Sequence, residues 1–223
     1  MIAVCLLTCG HAGGRGELTE RTVESFEQHN QGRPDLIRLH ADCGLTWAST
    51  DWVEGRGYVS VHEKREGLHV PQMVSFRQLV EAAALKGAEF VLWLENDWES
   101  AAPIPSIEVL RAGRDGPLKV VQWRMFGKRK MQKDGPRALA GEHRIGTKEK
   151  ISWKPAPGWK GWEFGFAHWG AGGTIATLDF LEEQLFRNRL KDVITSKNDL
   201  PTLRTVSNRL WHIGDVTTEG FRG

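Results

Sequence analysis

Apolar residues fall along this chain in two alternating rhythms. Ile2–Thr8 is a continuous apolar run with turn residues behind it, the pattern of a strand buried on both faces of a parallel sheet. After the Gly10–Gly16 loop, Leu18, Thr22, Val23 and Phe26 recur at helical spacing, with Glu17 and Glu20 near the helix start, where the dipole favours acids. Asp35–His40 alternates apolar and polar positions and predicts a short second strand leading into the loop Ala41-Asp42-Cys43-Gly44; Tyr58–His62 predicts a third. Pro71 sits where a helix N1 proline would, and Val74, Leu79, Val80, Ala83 and Ala84 continue a helix that stops before Gly87. Phe90-Val91-Leu92-Trp93-Leu94, apolar at every position, is the strongest strand signal. Leu118–Phe126 predicts another strand and Thr177–Leu190 another helix, with a Gly-, Trp- and Lys-rich stretch of hairpins and loops between them.

Strands alternating with helices make this an α/β chain, and 223 residues suit one domain, 1–223, with elaborations. Composition adds little except that Trp is common, at 10, while Tyr occurs once, so aromatic chemistry here is indole chemistry. Cys5, Cys9 and Cys43 form no CxxC pair and leave an odd number, which argues for reduced thiols and against a disulfide framework or a zinc cluster. The apolar start lacks a basic flank, and no window approaches the roughly 18 apolar residues of a membrane span, so the expected compartment is the cytoplasm. Charge is uneven: residues 119–160 hold 12 Lys/Arg against 3 Asp/Glu, which suggests contact with something anionic or, more simply, a solvated basic face.

The chemistry gathers after the strongest strand. Glu95-Asn96-Asp97 offers two carboxylates one residue apart where a buried parallel strand ends, and the carboxyl ends of strands are where open α/β sheets hold ligands. Hard divalent cations take such oxygen ligands. A surface turn with ordinary acids is the plain alternative. The Gly10–Gly16 loop fits neither GxGxxG nor GxxxxGK[ST], and a lone glycine-rich turn after a first strand is common.

A leading strand, a Leu-Thr-Glu-Arg-Thr-Val-Glu-Ser-Phe helix, a strand ending in Asp42, an Arg-bearing helix and an apolar strand ending in Glu95-Asn96-Asp97 together resemble the nucleotide-sugar half of family-2-like GT-A glycosyltransferases. The resemblance covers roughly 1–126, and 127–223 more loosely. It implies a Rossmann-like, mixed and mainly parallel sheet flanked by helices, with an acceptor-side Trp- and Lys-rich hairpin region. It also implies a nucleotide-sugar donor, a UDP-sugar foremost, and a bound Mn²⁺ or Mg²⁺. In that family the triplet is usually Asp-x-Asp, so Asp97 is implied as the firmer metal ligand, with Glu95 as a second ligand or a ribose contact. By the same resemblance Thr8 lies beside the base, Asp42 binds base or ribose, and Arg77 approaches the diphosphate or the triplet. His212, in Leu210-Trp211-His212-Ile213-Gly214, resembles the late His that completes the metal shell, and imidazole suits Mn²⁺ better than Mg²⁺.

On the acceptor side, Gly158–Phe166 combines aromatics for stacking with Glu163, the candidate base, for which Asp179 at the start of a later helix is a rival. A Trp-rich core hairpin with an exposed glutamate explains the same residues without catalysis. Lys128, Arg129 and Lys130, interleaved further on with Trp159 and Trp162, have the makeup of a nucleic-acid surface. A modified base in DNA is therefore one candidate acceptor, as in the small viral DNA-modifying glycosyltransferases, alongside anionic glycans, teichoic-type polymers and lipid head groups. The competing class is a nucleic-acid-binding module that uses segment 128–162 without catalysis. A metal-dependent nuclease ranks last, for want of an Asp…Glu-x-Lys arrangement.

Overall fold

The computed structural model describes residues 1–8, 15–42, 48–61, 72–126, 152–167, 172–187 and 200–212. Eleven strands and five helices follow one another as β1 (Ile2–Thr8), α1 (Arg15–Asn30), β2 (Leu36–Asp42), α2 (Ala48–Glu54), β3 (Val59–Ser60), α3 (Gln72–Leu85), β4 (Phe90–Glu95), β5 (Trp98–Ser100), α4 (Ile107–Asp115), β6 (Gln122–Arg124), β7 (Lys154–Pro155), β8 (Trp162–Ala167), β9 (Thr174–Thr177), α5 (Leu178–Arg187), β10 (Leu200–Thr205) and β11 (Leu210–His212) among the described residues.

Nine of these strands form one sheet in the order β3-β2-β1-β4-β9-β6-β10-β8-β7. β3, β2, β1 and β4 are parallel neighbours. β9 runs against β4 and β6, β10 returns parallel to β6, and β8 runs against β10 and β7. Two strands therefore oppose the other seven. This is the mixed, mainly parallel sheet expected from the sequence.

The all-apolar strands are apolar because both their faces are covered. Ile2, Val4, Leu6, Phe90, Leu92 and Leu94 pack with Val23 and Phe26 of α1 and with Ile107 and Leu110 of α4. Ala3, Cys5, Leu7, Val91 and Trp93 pack with Phe76, Leu79, Val80 and Ala83 of α3 and with Phe180 and Leu181 of α5. The result is three layers, helices on either side of a sheet. Cys5 lies in this core, where burial pushes its thiol pKa up and keeps it protonated; Cys9 and Cys43 lie outside the described residues. No helix among the described residues is long and apolar enough to cross a membrane.

Several elements differ from expectation in extent. The strand predicted over Leu118–Phe126 is only Gln122–Arg124, because Lys119 takes a left-handed φ of 48° and Val120 donates its N–H back to Gly113, so the chain is still turning out of α4. Thr177 closes β9 instead of opening the following helix, which runs Leu178–Arg187. The first helix reaches 16 residues, extended at its end by Asn30, whose side chain donates to Phe26 O and accepts from the Ile104 N–H.

Two glycines fix how β4 hands over to β5. A Cβ on Gly173 (φ 63°) would stand 2.6 Å from Trp98 Cζ3, and one on Gly172 (φ 74°) 3.0 Å from the same indole. Trp98 is therefore seated on bare backbone, buried, with Phe126 5.5 Å away on another side.

We expect Gly173→Ala to lose about 2–5 kcal/mol of stability, the left-handed backbone adding about 1–2 to an overpacking term of about 1–3. Gly32→Ala (φ 73°, nothing within 4 Å) carries the backbone term alone and should cost about 1–2 kcal/mol; equal losses in chemical denaturation would show that Trp98 does not need the gap. At the opposite edge of the sheet Arg111, then Arg114, hold the Glu89 carboxyl down to about 2. A carboxyl depressed from its ordinary value stabilises the fold above that ordinary value, near pH 4.5, and loses the contribution as pH falls towards 2. Glu89→Gln should therefore remove about 1–2 kcal/mol at pH 7 and flatten the acid limb of stability against pH; an unchanged limb would contradict the pairing.

Candidate functional site

Strand register decides which side chains can meet. Thr8 pairs with Asp42 across β1 and β2, and Leu7 pairs with Glu95 across β1 and β4, so the three polar strand ends share one edge of the sheet. Asn96 continues the ladder, donating its N–H to Leu7 O at 3.1 Å, and Asn96-Asp97 is the tight turn between β4 and β5. Asp97 thus stands at the tip of a central strand in an open sheet, half-buried, and the adjoining Trp98 anchors the turn in the core.

Two of these groups are oriented by a neighbour, Glu95 by Trp93 and Thr8 by His40. Glu95 Oε1 accepts the Trp93 indole N–H at 3.1 Å, which turns it along its own strand face, towards the α3 side. Thr8 Oγ1 meets His40 Nε2 at 2.9 Å, and His40 Nδ1 meets Ser60 Oγ at 3.3 Å. A fully buried imidazole therefore ties β1, β2 and β3 together just beneath the strand ends. β11 pairs antiparallel with β5 so that His212 is the register partner of Trp98, one residue from Asp97; the His212 side chain lies outside the described residues. Among the described residues no three His, Cys, Asp or Glu side chains converge as a metal cluster.

Arg77 occupies the second turn of α3, whose N-terminus faces this same edge because the helix returns the chain from β3 to the start of β4. Its guanidinium reaches Glu81 Oε1 at 2.7 Å along the exposed face of the helix.

The second half of the sheet presents its own groups at this edge. A single register row runs Val59, Leu39, Cys5, Trp93, Thr174, Arg124, Arg204, Glu163, Pro155 across all nine strands. Glu163 therefore lies level with the metal-candidate strand, four strands over, roughly 19 Å away at about 4.8 Å per strand. Its Oε2 accepts from Arg204 Nε at 2.7 Å, and the Arg204 Nη2 lies 2.6 Å from the same oxygen. Trp159 and Trp162 stack edge to face at 6.5 Å, and with Glu163, Lys160, Pro155 and Val206 they line an open pocket of about 560 Å³. The structure thus brings Glu163, Trp159 and Trp162 together.

Asp179 is not at this edge. β9 is antiparallel, so its end at Thr177 pairs with Phe90, the first residue of β4, and Leu178 donates to Glu89 O at 2.9 Å. The start of α5 is therefore at the opposite edge, roughly 17 Å along β4 from Glu95 at about 3.3 Å per residue. Lys128, Arg129 and Lys130 lie outside the described residues.

Three features escaped the sequence. His40 looks like one polar position of an alternating strand; Gly172-Gly173 looks like a loop; Arg124 is one of three polar residues in its predicted strand, with Lys119 and Gln122, and signals nothing until Arg204 is placed beside it.

Against known proteins, no family model matches this chain, and no curated protein matches it. Solved structures do. S. aureus TarS aligns over 95% of this chain and 36% of its own, at 10% identity and a TM-score of 0.57. A TarS fragment, residues 1–349, aligns over 94% of this chain and 60% of its own, at 9% identity and 0.53. That fragment in complex with UDP-GlcNAc gives 94% and 57%, 11% identity and 0.50. This chain spans only between about a third and three-fifths of those structures, and at such identities what is common is the fold: the GT-A arrangement of a mixed, mainly parallel sheet flanked by helices.

Proposed function

We propose that this chain is a glycosyltransferase that binds a nucleotide sugar across the ends of β2, β1 and β4 and passes the sugar to a hydroxyl on an anionic acceptor lying over β6, β10 and β8. The observation that carries the proposal is the register that puts Thr8, Asp42, Glu95 and the Asp97 turn on one edge. A likeness in fold to a protein crystallised with UDP-GlcNAc supports a uridine diphosphate sugar as donor.

Within this reading Asp42 and Thr8 receive the nucleoside, with the Thr8 hydroxyl held by His40. Asp97, Glu95 and His212 have the donor chemistry that Mn²⁺ or Mg²⁺ takes, two carboxylates on one turn and an imidazole-bearing residue on the adjoining strand. Such an ion, when bound, offsets the negative charge that develops on a departing diphosphate. Trp93 keeps Glu95 turned along the strand, Trp98 keeps the Asp97 turn from swinging, and Arg77 stands on the helix that starts at this edge.

The acceptor lies against Trp159 and Trp162, whose indole faces suit an apolar sugar or base surface. Glu163 is the candidate base from the sequence, but four strands from β4 and held by Arg204 it stands too far from a sugar at the β4 tip to take the hydroxyl proton, and it serves the acceptor surface instead. Lys128, Arg129 and Lys130 contribute positive charge for an anionic acceptor, of which a modified DNA base is one form. Nucleic-acid binding without catalysis predicts instead salt-sensitive DNA affinity that ignores Mn²⁺ and nucleotide.

Two measurements check this reading. UDP with Mn²⁺ should raise the Tm of the wild-type chain, and Asp97→Ala should weaken that binding at least about tenfold while leaving the ligand-free Tm within a few degrees; no response of the wild type to any nucleoside diphosphate would remove the donor site. With an accepted substrate, Glu163→Gln should shift the acceptor KM while leaving kcat within about 3-fold and UDP affinity unchanged. A loss of kcat of about 10²-fold or more would restore Glu163 as the base.

A further inference from the structure

Arg124 and Arg204 are direct register partners on the adjacent parallel strands β6 and β10. Register partners point to the same face about 4.8 Å apart, and like charges set opposite each other there oppose folding. The arrangement is nonetheless built in and furnished. The Trp153 ring centroid lies 4.1 Å from the Arg204 guanidinium carbon and 6.0 Å from that of Arg124, so one indole roofs both. Glu163, in the same row, meets Arg204 through Oε2. Burial, and then the neighbouring charge of Arg204, pushes the Arg124 pKa down to about 10, the sign of a cation held where water screens it poorly.

We infer that Arg124 and Arg204, roofed by Trp153, form a binding site for a phosphate-class oxyanion carried by the acceptor. Two adjacent planar forks present paired N–H donors to tetrahedral oxygens in the way phosphate requires. Position separates this site from the donor. The row places Arg124 two strands and Arg204 three strands beyond β4, roughly 10 and 14 Å at about 4.8 Å per strand, on the way to the Trp159 pocket. The assignment rests on the glycosyltransferase reading for the word acceptor, while the oxyanion site itself stands on the Arg, Glu and Trp geometry.

The test uses the full chain and inorganic phosphate, followed by calorimetric titration and by Tm. Phosphate should bind the wild-type chain; Glu163→Gln, which removes the competing carboxylate, should bind it at least 3-fold more tightly; Arg124→Gln should bind it at least 10-fold more weakly. Tighter binding cannot come from misfolding, so the Glu163→Gln arm holds even if Arg124→Gln does not fold. Saturating UDP with Mn²⁺ should leave phosphate affinity within 2-fold. Equal phosphate affinity in all three chains overturns the site, and displacement of phosphate by UDP with Mn²⁺ overturns its assignment to the acceptor. A chain that shows the phosphate pattern and ignores UDP supports the oxyanion site and counts against the donor reading alone.

Discussion

The hydrogen-bond ladder that joins β1 to β2 on one side and to β4 on the other is the constraint on which the site depends. Parallel pairing fixes not only which strands are neighbours but how far each one runs, and here it brings Thr8 level with Asp42 and Leu7 level with Glu95. A slip of one residue would turn each of these side chains to the opposite face and strip the core of its apolar pairs at the same time. The polar edge is therefore held in place by the burial of Val4, Leu6, Leu92 and Leu94 on one face and of Cys5, Leu7, Val91 and Trp93 on the other. What the side chains at the strand ends can do is decided by apolar residues that touch no ligand.

The same logic extends past β4, where the sheet changes character. β9 enters antiparallel and its amino end lands at the edge, so the strands beyond contribute Thr174, Arg124, Arg204 and Glu163 in one continuous row. β1 and β4 are apolar up to their tips; the mixed half carries Arg124, Arg204 and Glu163 within its strands. That division matches a molecule that meets a nucleotide at one end of the sheet and an anionic partner at the other, with the turn at Asp97 between them and Trp98 seated on Gly172 and Gly173 to keep it still.

Those parts of the fold that are governed by local pattern were legible in the sequence. β1 and β4 are apolar runs because both faces are covered, α1 and α3 show their buried stripes, and the acids after Leu94 stand out because nothing polar precedes them. Elements whose existence depends on distant partners were not. β9 and β11 are short, and β10, with Pro201 and Arg204 in it, reads as a strand only when β6 and β8 lie on either side of it. Thr177 follows the sheet although its neighbours are helical in pattern, since its N–H is taken by Val121 O. The Arg204 that holds Glu163, and that stands beside Arg124, is far from both in sequence; no periodicity announces such a pair. Asp179 shows the converse: a carboxylate at a helix start is chemically suitable, and the direction of β9 alone carries it to the wrong edge.

The central claim is that the carboxylates at the tip of β4 grip a divalent cation together with a diphosphate. Electron paramagnetic resonance of free Mn²⁺ during titration of the chain tests it most directly. One Mn²⁺ site per chain is expected, with an affinity that rises at least about tenfold when UDP is present, since ion and diphosphate complete each other's coordination. Mn²⁺ binding that is absent, or spread over several weak sites indifferent to UDP, would contradict it.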